Sequence, residues 1–222
     1  MKQSGKRFFA CGMRLMVAFV VWTGLIQTVD VAPVGPNKTE VGFATFNSWF
    51  HRLTGVSMTI YTITDWLGLI PIFVCLIFAT IGAGQLVKRR SLFKVDYDIL
   101  FLGIYYLIVI AMYLMFEIIP INYRPILIEG AMEASYPSST TLLVLSVMPT
   151  LTFQVKRRLK HDVIQKIICS LTNAFITFMV IGRLVSGVHW FTDIVGSVLL
   201  STGVFYLYKA IVCWCSKEKE EA

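Results

Sequence analysis

Charge is scarce in this chain: only 15% of its 222 residues are Asp, Glu, Lys or Arg, against 56% hydrophobic residues and a mean hydropathy of +0.71. A water-soluble domain of this length has too little interior for so much apolar surface, which excludes a soluble globular protein. No polar low-complexity run or internal repeat leaves room for a disordered tail, a repeat array or an appended soluble domain. The five cysteines lie within apolar segments or at their inner ends, so no disulfide framework is expected in exposed loops. Three histidines without a compact His/Cys/carboxylate ligand set point to no metal and no cofactor. Net charge is +7, but the basic residues fall in blocks between apolar runs rather than in one patch, a pattern of membrane topology and not of nucleic-acid binding. A transporter is disfavoured too, because the apolar runs are unbroken and the charges cluster at their ends.

What the chain does have is long apolar runs, read as an all-α polytopic membrane protein that forms one domain over 1–222. Six spans are expected: Phe8 to Val29, Trp66 to Val87, Ile99 to Ile119, Thr140 to Val155, Val163 to Ile181 and Ile194 to Cys215. The first follows a charged start, yet its length and the lack of a small-x-small cleavage site favour an uncleaved anchor. Under this layout sixteen of the twenty Lys and Arg residues fall on one side, leaving Lys38, Arg52, Arg124 and Arg183 on the other. The positive-inside rule then puts both termini in the cytoplasm and the segments 30–65, 120–139 and 182–193 outside, in what reads as a bacterial plasma membrane. Between the first two spans Phe43, Phe46, Trp49, Phe50 and Leu53 recur at helical spacing, predicting a short interfacial helix whose other face turns Asn47, Ser48 and His51 to water or a cavity. Trp49, Trp66 and Trp190 are expected as anchors at the outer boundary.

Three polar clusters share that outer boundary: Tyr123-Arg124-Pro125, Tyr136-Pro137-Ser138-Ser139-Thr140, and the run from Gly182-Arg183 through His189 to Asp193. Each suits phosphate chemistry. Two guanidiniums offer forked donors to phosphoryl oxygens, and Ser138 and Ser139 at a helix start supply free N–H groups and the positive end of the dipole. Asp193, four residues after His189, shares a helix face with it if the last helix begins by then, and can orient the imidazole as a nucleophile.

These residues, lying within 117–193, resemble the type-2 phosphatidic acid phosphatase superfamily, the membrane relatives of bacterial acid phosphatases and vanadium haloperoxidases. Of the family motif S-R-x5-H-x3-D the chain has Gly182, Arg183, His189 and Asp193; P-S-G-H appears as Pro137-Ser138-Ser139-Thr140, and K-x6-R-P as Glu117 followed by Arg124-Pro125. The resemblance covers about residues 98 to 210. It implies a metal-independent phosphatase in which His189 forms a phosphohistidine, Asp193 orients it, and Arg124, Arg183, Ser138 and Ser139 cradle the phosphate. Thr140 stands where the family has its proton-donating His, and Glu117 where it has a phosphate-binding Lys. Candidate substitute donors are His51, Glu117 and Thr140 itself, with Tyr123 and Tyr136 as weaker ones.

Two functions are compatible with this pattern. One is a lipid phosphatase acting at the outer membrane face, preferably on a polyprenyl diphosphate, whose phosphate leaving group needs little protonation. The other is a catalytically impaired relative that binds lipid phosphates or a partner protein. The substrate expected is a membrane lipid phosphate in either case, and the sequence carries no signal for oligomeric state.

Overall fold

The computed structural model describes residues 2–218. Its regular structure is helical, with three isolated β-bridges and no strand among the described residues. The helices are α1 (Lys2–Ile26), α2 (Ala44–Thr54), α3 (Met58–Leu67), α4 (Leu69–Arg89), α5 (Tyr97–Ile118), α6 (Ser139–Arg158), α7 (Asp162–Val185) and α8 (Phe191–Glu218). Lys219, one of the sixteen basic residues counted above, lies outside the described residues.

Among the described residues five helical stretches are long and apolar enough to cross a membrane: Gln3–Ile26, Met58–Arg89, Tyr97–Ile118, Asp162–Val185 and Phe191–Ser216. That is one fewer than the six expected, and the missing one is α6. Its hydropathy is low because it carries many polar residues, several of which meet polar groups of neighbouring helices. Tyr106 and Thr150 hydroxyls are 2.7 Å apart, Tyr105 donates to the Ser146 carbonyl, Gln154 donates to Tyr208, and Ser201 donates to the Leu142 carbonyl. Helix α6 is the axis of the bundle, and it borrows its polar partners from α5 and α8. The second stretch also differs from expectation: it begins eight residues earlier, as α3, and turns into α4 at Gly68, with Pro71 in the first turn of α4, where a missing N–H costs nothing.

Helix α1 runs along α8 in close contact. At Gly12 a Cβ would lie 2.9 Å from Leu207 and 3.0 Å from the Gly203 carbonyl, so glycine is what lets the two backbones approach. At the basic end of the bundle Arg158 grips both oxygens of the buried Asp98 at 2.8 Å and also reaches Asp96, which pairs with Arg89. This clamp ties the start of α5 to the ends of α4 and α6. The opposite end carries the loops 119–138 and 186–190, and the site lies there.

Helix α2 corrects the expected sidedness of its polar residues. Asn47 is fully buried, donating to the Gly42 carbonyl at 2.8 Å and to Thr192 at 3.0 Å, while Phe46, Trp49 and Leu53 face outward. Its polar face meets the start of α8, and its apolar face is the open one. Trp190 is likewise no surface anchor: it is buried, with its indole N–H on the Tyr123 carbonyl at 2.8 Å. Trp49 and Trp66 are exposed as expected.

Candidate active site

The segment between α5 and α6 folds back on itself. Arg124 N–H donates to the Glu133 carbonyl and Ser135 N–H to the Asn122 carbonyl at 2.8 Å, which sets Arg124 and Ser135 side by side beneath the loop joining α7 to α8. That loop is fixed from the other side by Gly187, whose φ of +70° is open to glycine and whose Cβ, if present, would lie 1.9 Å from the Gly55 carbonyl. Ser57 N–H donates to the Ser186 carbonyl across the same contact. The linker between α2 and α3 thus presses the His189 loop into the bundle.

His189 precedes α8, which starts at Phe191, so the pair does not share a helix face as expected. Its Nδ1 lies 3.7 Å from Asp193 Oδ2, too far for a hydrogen bond, and 3.2 Å from the Ser135 hydroxyl, which in turn donates to Asp193 Oδ2. Asp193 also accepts from the Trp190 N–H at 2.8 Å and from Asn122 at 3.4 Å. A hydroxyl that spends its proton on a carboxylate can only accept from the ring, which puts the imidazole proton on Nδ1 and the lone pair on Nε2. Nε2 is buried with no partner. Burial, followed by the nearby Arg124 and Arg183 charges, holds the imidazole well below its ordinary range and so neutral at pH 7. Ser135 and Asn122 carried no signal in the sequence, since each is a single polar residue in an irregular loop.

Both arginines are buried, and both guanidiniums stack on the Tyr61 ring, at 4.9 Å for Arg183 and 5.7 Å for Arg124. Arg183 reaches Thr64 at 3.4 Å and Asp65 at 3.6 Å; Arg124 Nε lies 3.1 Å from Glu133. Arg183 Nε and Arg124 Nη1 have no hydrogen-bond partner. Burying such cations costs on the order of several kcal/mol each, which a bound anion would offset. They line a cleft of about 530 Å³ together with Asp65, Glu117, Ser139 and Thr140. No side chain caps α6, so the N–H groups of its first turn remain open at the start of a 20-residue helix. His189 is not part of the lining, so a ligand in the cleft meets the guanidiniums first and the imidazole only after side chains shift.

The remaining candidates divide. Ser138 is fully buried and donates to Thr141, whereas Ser139 lines the cleft. His51 Nε2 sits 3.0 Å from the Gly187 carbonyl, committed to holding the loop. The Tyr136 hydroxyl bonds Thr23 at 2.7 Å, and burial pushes its phenol up; Tyr123 gives its carbonyl to the Trp190 indole and its N–H to Asn122 Oδ1. Glu117 and Thr140 both line the cleft. Gly182 has a packing reason: a Cβ there would lie 2.7 Å from the Thr64 methyl of α3.

The family model of the PAP2 superfamily matches residues 41–217. The chain belongs to the PAP2 superfamily. The match begins before α2, well upstream of the motifs, so it takes in the buttress of the His189 loop as well as the arginines. Among solved structures the chain is similar to the "first transmembrane PAP2 type phosphatidylglycerolphosphate phosphatase from Bacillus subtilis", with a TM-score of 0.61 and 17% sequence identity over 91% of this chain and 96% of that one. No curated protein sequence matches it. This PAP2 chain therefore combines a membrane phosphatase fold with a cleft in which two motif positions, Glu117 and Thr140, depart from the family pattern.

Proposed function

We propose that the protein is a lipid phosphatase that uses His189 as a metal-independent nucleophile on a lipid (di)phosphate at the outer membrane face. In this reading α6 is a sixth span, buried inside the other five, and α2 lies at the outer interface with Phe46, Trp49 and Leu53 toward lipid. The basic residues at the ends of α4 and α6 support a cytoplasmic side there, with the cleft outside and the termini inside, as in a bacterial plasma membrane. The observation that carries the reading is the neutral, unpartnered Nε2 of His189, backed by Ser135 and Asp193 beside two guanidiniums with unspent donors.

The chemistry follows from those groups. Nε2 attacks phosphorus, the bond from phosphorus to the leaving oxygen breaks, and Arg124, Arg183 and the N–H groups at the start of α6 hold the charge that gathers on the phosphoryl oxygens. Water then attacks the phosphohistidine, releasing inorganic phosphate and restoring the imidazole. With Thr140 in the position of the family's proton donor, an alkoxide leaves with little help, whereas a phosphate leaving group is already stable as an anion. A polyprenyl diphosphate such as undecaprenyl diphosphate is the substrate this favours. The test is phosphate release by the purified protein from polyprenyl diphosphate, phosphatidylglycerol phosphate and phosphatidic acid, wild type beside His189→Ala. The reading expects release from the diphosphate fastest and none from the variant. Binding of these lipids without turnover in the wild type would instead identify a catalytically impaired binder.

A further inference from the structure

Far from the arginine cleft, in the basic half of the bundle, α6, α7 and α8 enclose a second pocket of about 180 Å³. Lys156 and Thr152 line it from α6, Asn173 from α7 and Lys209 from α8. Lys209 is held among aromatic rings, with its ammonium 4.1 Å from the Phe8 centroid and 5.6 to 5.8 Å from Phe153, Phe205 and Tyr206. Ring faces steady a cation but accept none of its hydrogen bonds well. Among the described residues no carboxylate pairs with either lysine.

Two further features meet in the same place. Thr152 Oγ1 is buried without a partner. Asn173 is exposed on α7 in a stretch where Leu171 and Phe178 face outward, so its amide confronts an apolar surround, which is costly without a polar partner. An uncompensated pair of ammoniums, an orphaned hydroxyl and an outward amide on an apolar wall all call for one kind of ligand, an oxygen-rich anion attached to an apolar body.

We propose that this pocket binds the phosphate headgroup of an anionic lipid, from the leaflet opposite the arginine cleft. The lysines meet the phosphate charge, Thr152 and Asn173 take its remaining oxygens, and the acyl chains lie against the outward apolar residues of α7. The site is separate from His189 and does not depend on the catalytic reading.

The test uses the full-length protein in phosphatidylcholine nanodiscs, titrated with dioctanoyl phosphatidylglycerol and followed by a binding-induced shift in thermal unfolding. At about fivefold per lysine, Lys156→Gln/Lys209→Gln should weaken the apparent affinity about 25-fold, while Lys156→Arg/Lys209→Arg retains it. Arg183→Gln should leave this lysine-dependent binding in place, which distinguishes the pocket from the cleft. Should the double variant fail to fold, Lys156→Gln alone, at an exposed position, must weaken binding about fivefold. Equal affinity in wild type and the Gln variants would overturn the proposal. So would inorganic phosphate giving the same lysine-dependent shift as the lipid, since the pocket would then be a site for a free anion.

Discussion

His189 is buried between a hydroxyl that fixes its proton and two cations that oppose a second one. A group whose protonated form is disfavoured in this way stays ready as a nucleophile below its ordinary pKa. The acid limb of kcat/KM, which reports the free enzyme, should therefore fall well below pH 6.5, and a limb at or above 6.5 would contradict a buried neutral imidazole. Ser135 is the residue that links this ring to Asp193. Ser135→Ala should lower kcat about fivefold with KM little changed, and Ser135→Thr should recover part of the loss, because one hydrogen bond of about 1 kcal/mol orients the ring without touching substrate. Thr140 makes a complementary point about the leaving group. Thr140→His should raise hydrolysis of phosphatidic acid by up to about 100-fold or more while changing diphosphate hydrolysis much less; equal gains on both would remove the case for a diphosphate preference. The arginines, His189 and Asp193 stood out in the sequence through the co-occurrence of three polar clusters and their resemblance to the family motifs, not through any one spacing. Ser135 and Asn122 were not, because a loop residue acquires its role only when the chain folds back between α5 and α6.

At the scale of elements, α2 shows how a membrane chain can invert an amphipathic pattern. The alternation of Phe46, Trp49 and Leu53 with Asn47 and His51 was legible, but the usual reading gives the polar face to water. Here the polar face grips Thr192 and Gly187, and the segment becomes a buttress for the His189 loop. Asn47→Leu should leave the Gly42 carbonyl and Thr192 without partners, at about 1–3 kcal/mol for each buried group. A lowered thermal midpoint together with reduced turnover would agree; a fully active protein of unchanged stability would mean that α2 does not support the site. Helix α6 is the converse case. Its apolar run was legible and was read as a span, but its polar positions were not assignable to partners, because Thr150 and Gln154 bond Tyr106 and Tyr208, far away in sequence.

Across the whole molecule, the charge asymmetry and the position of the cleft make one statement about topology. Met132, in the loop that carries Arg124, is exposed, as is Lys160 at the other end. With the native cysteines replaced, an impermeant thiol reagent on intact cells should label Met132→Cys and spare Lys160→Cys; the reverse pattern would put the cleft on the cytoplasmic face. The central claim is that phosphorus passes through His189. Rapid quenching during turnover of labelled polyprenyl diphosphate, followed by peptide mass analysis, tests it directly. The account predicts an acid-labile phosphoryl group on His189 that forms in the wild type, accumulates when water attack is slowed, and is absent in His189→Ala together with all phosphate release. Turnover that persists in His189→Ala, or a phosphoryl group found on another residue, would contradict it.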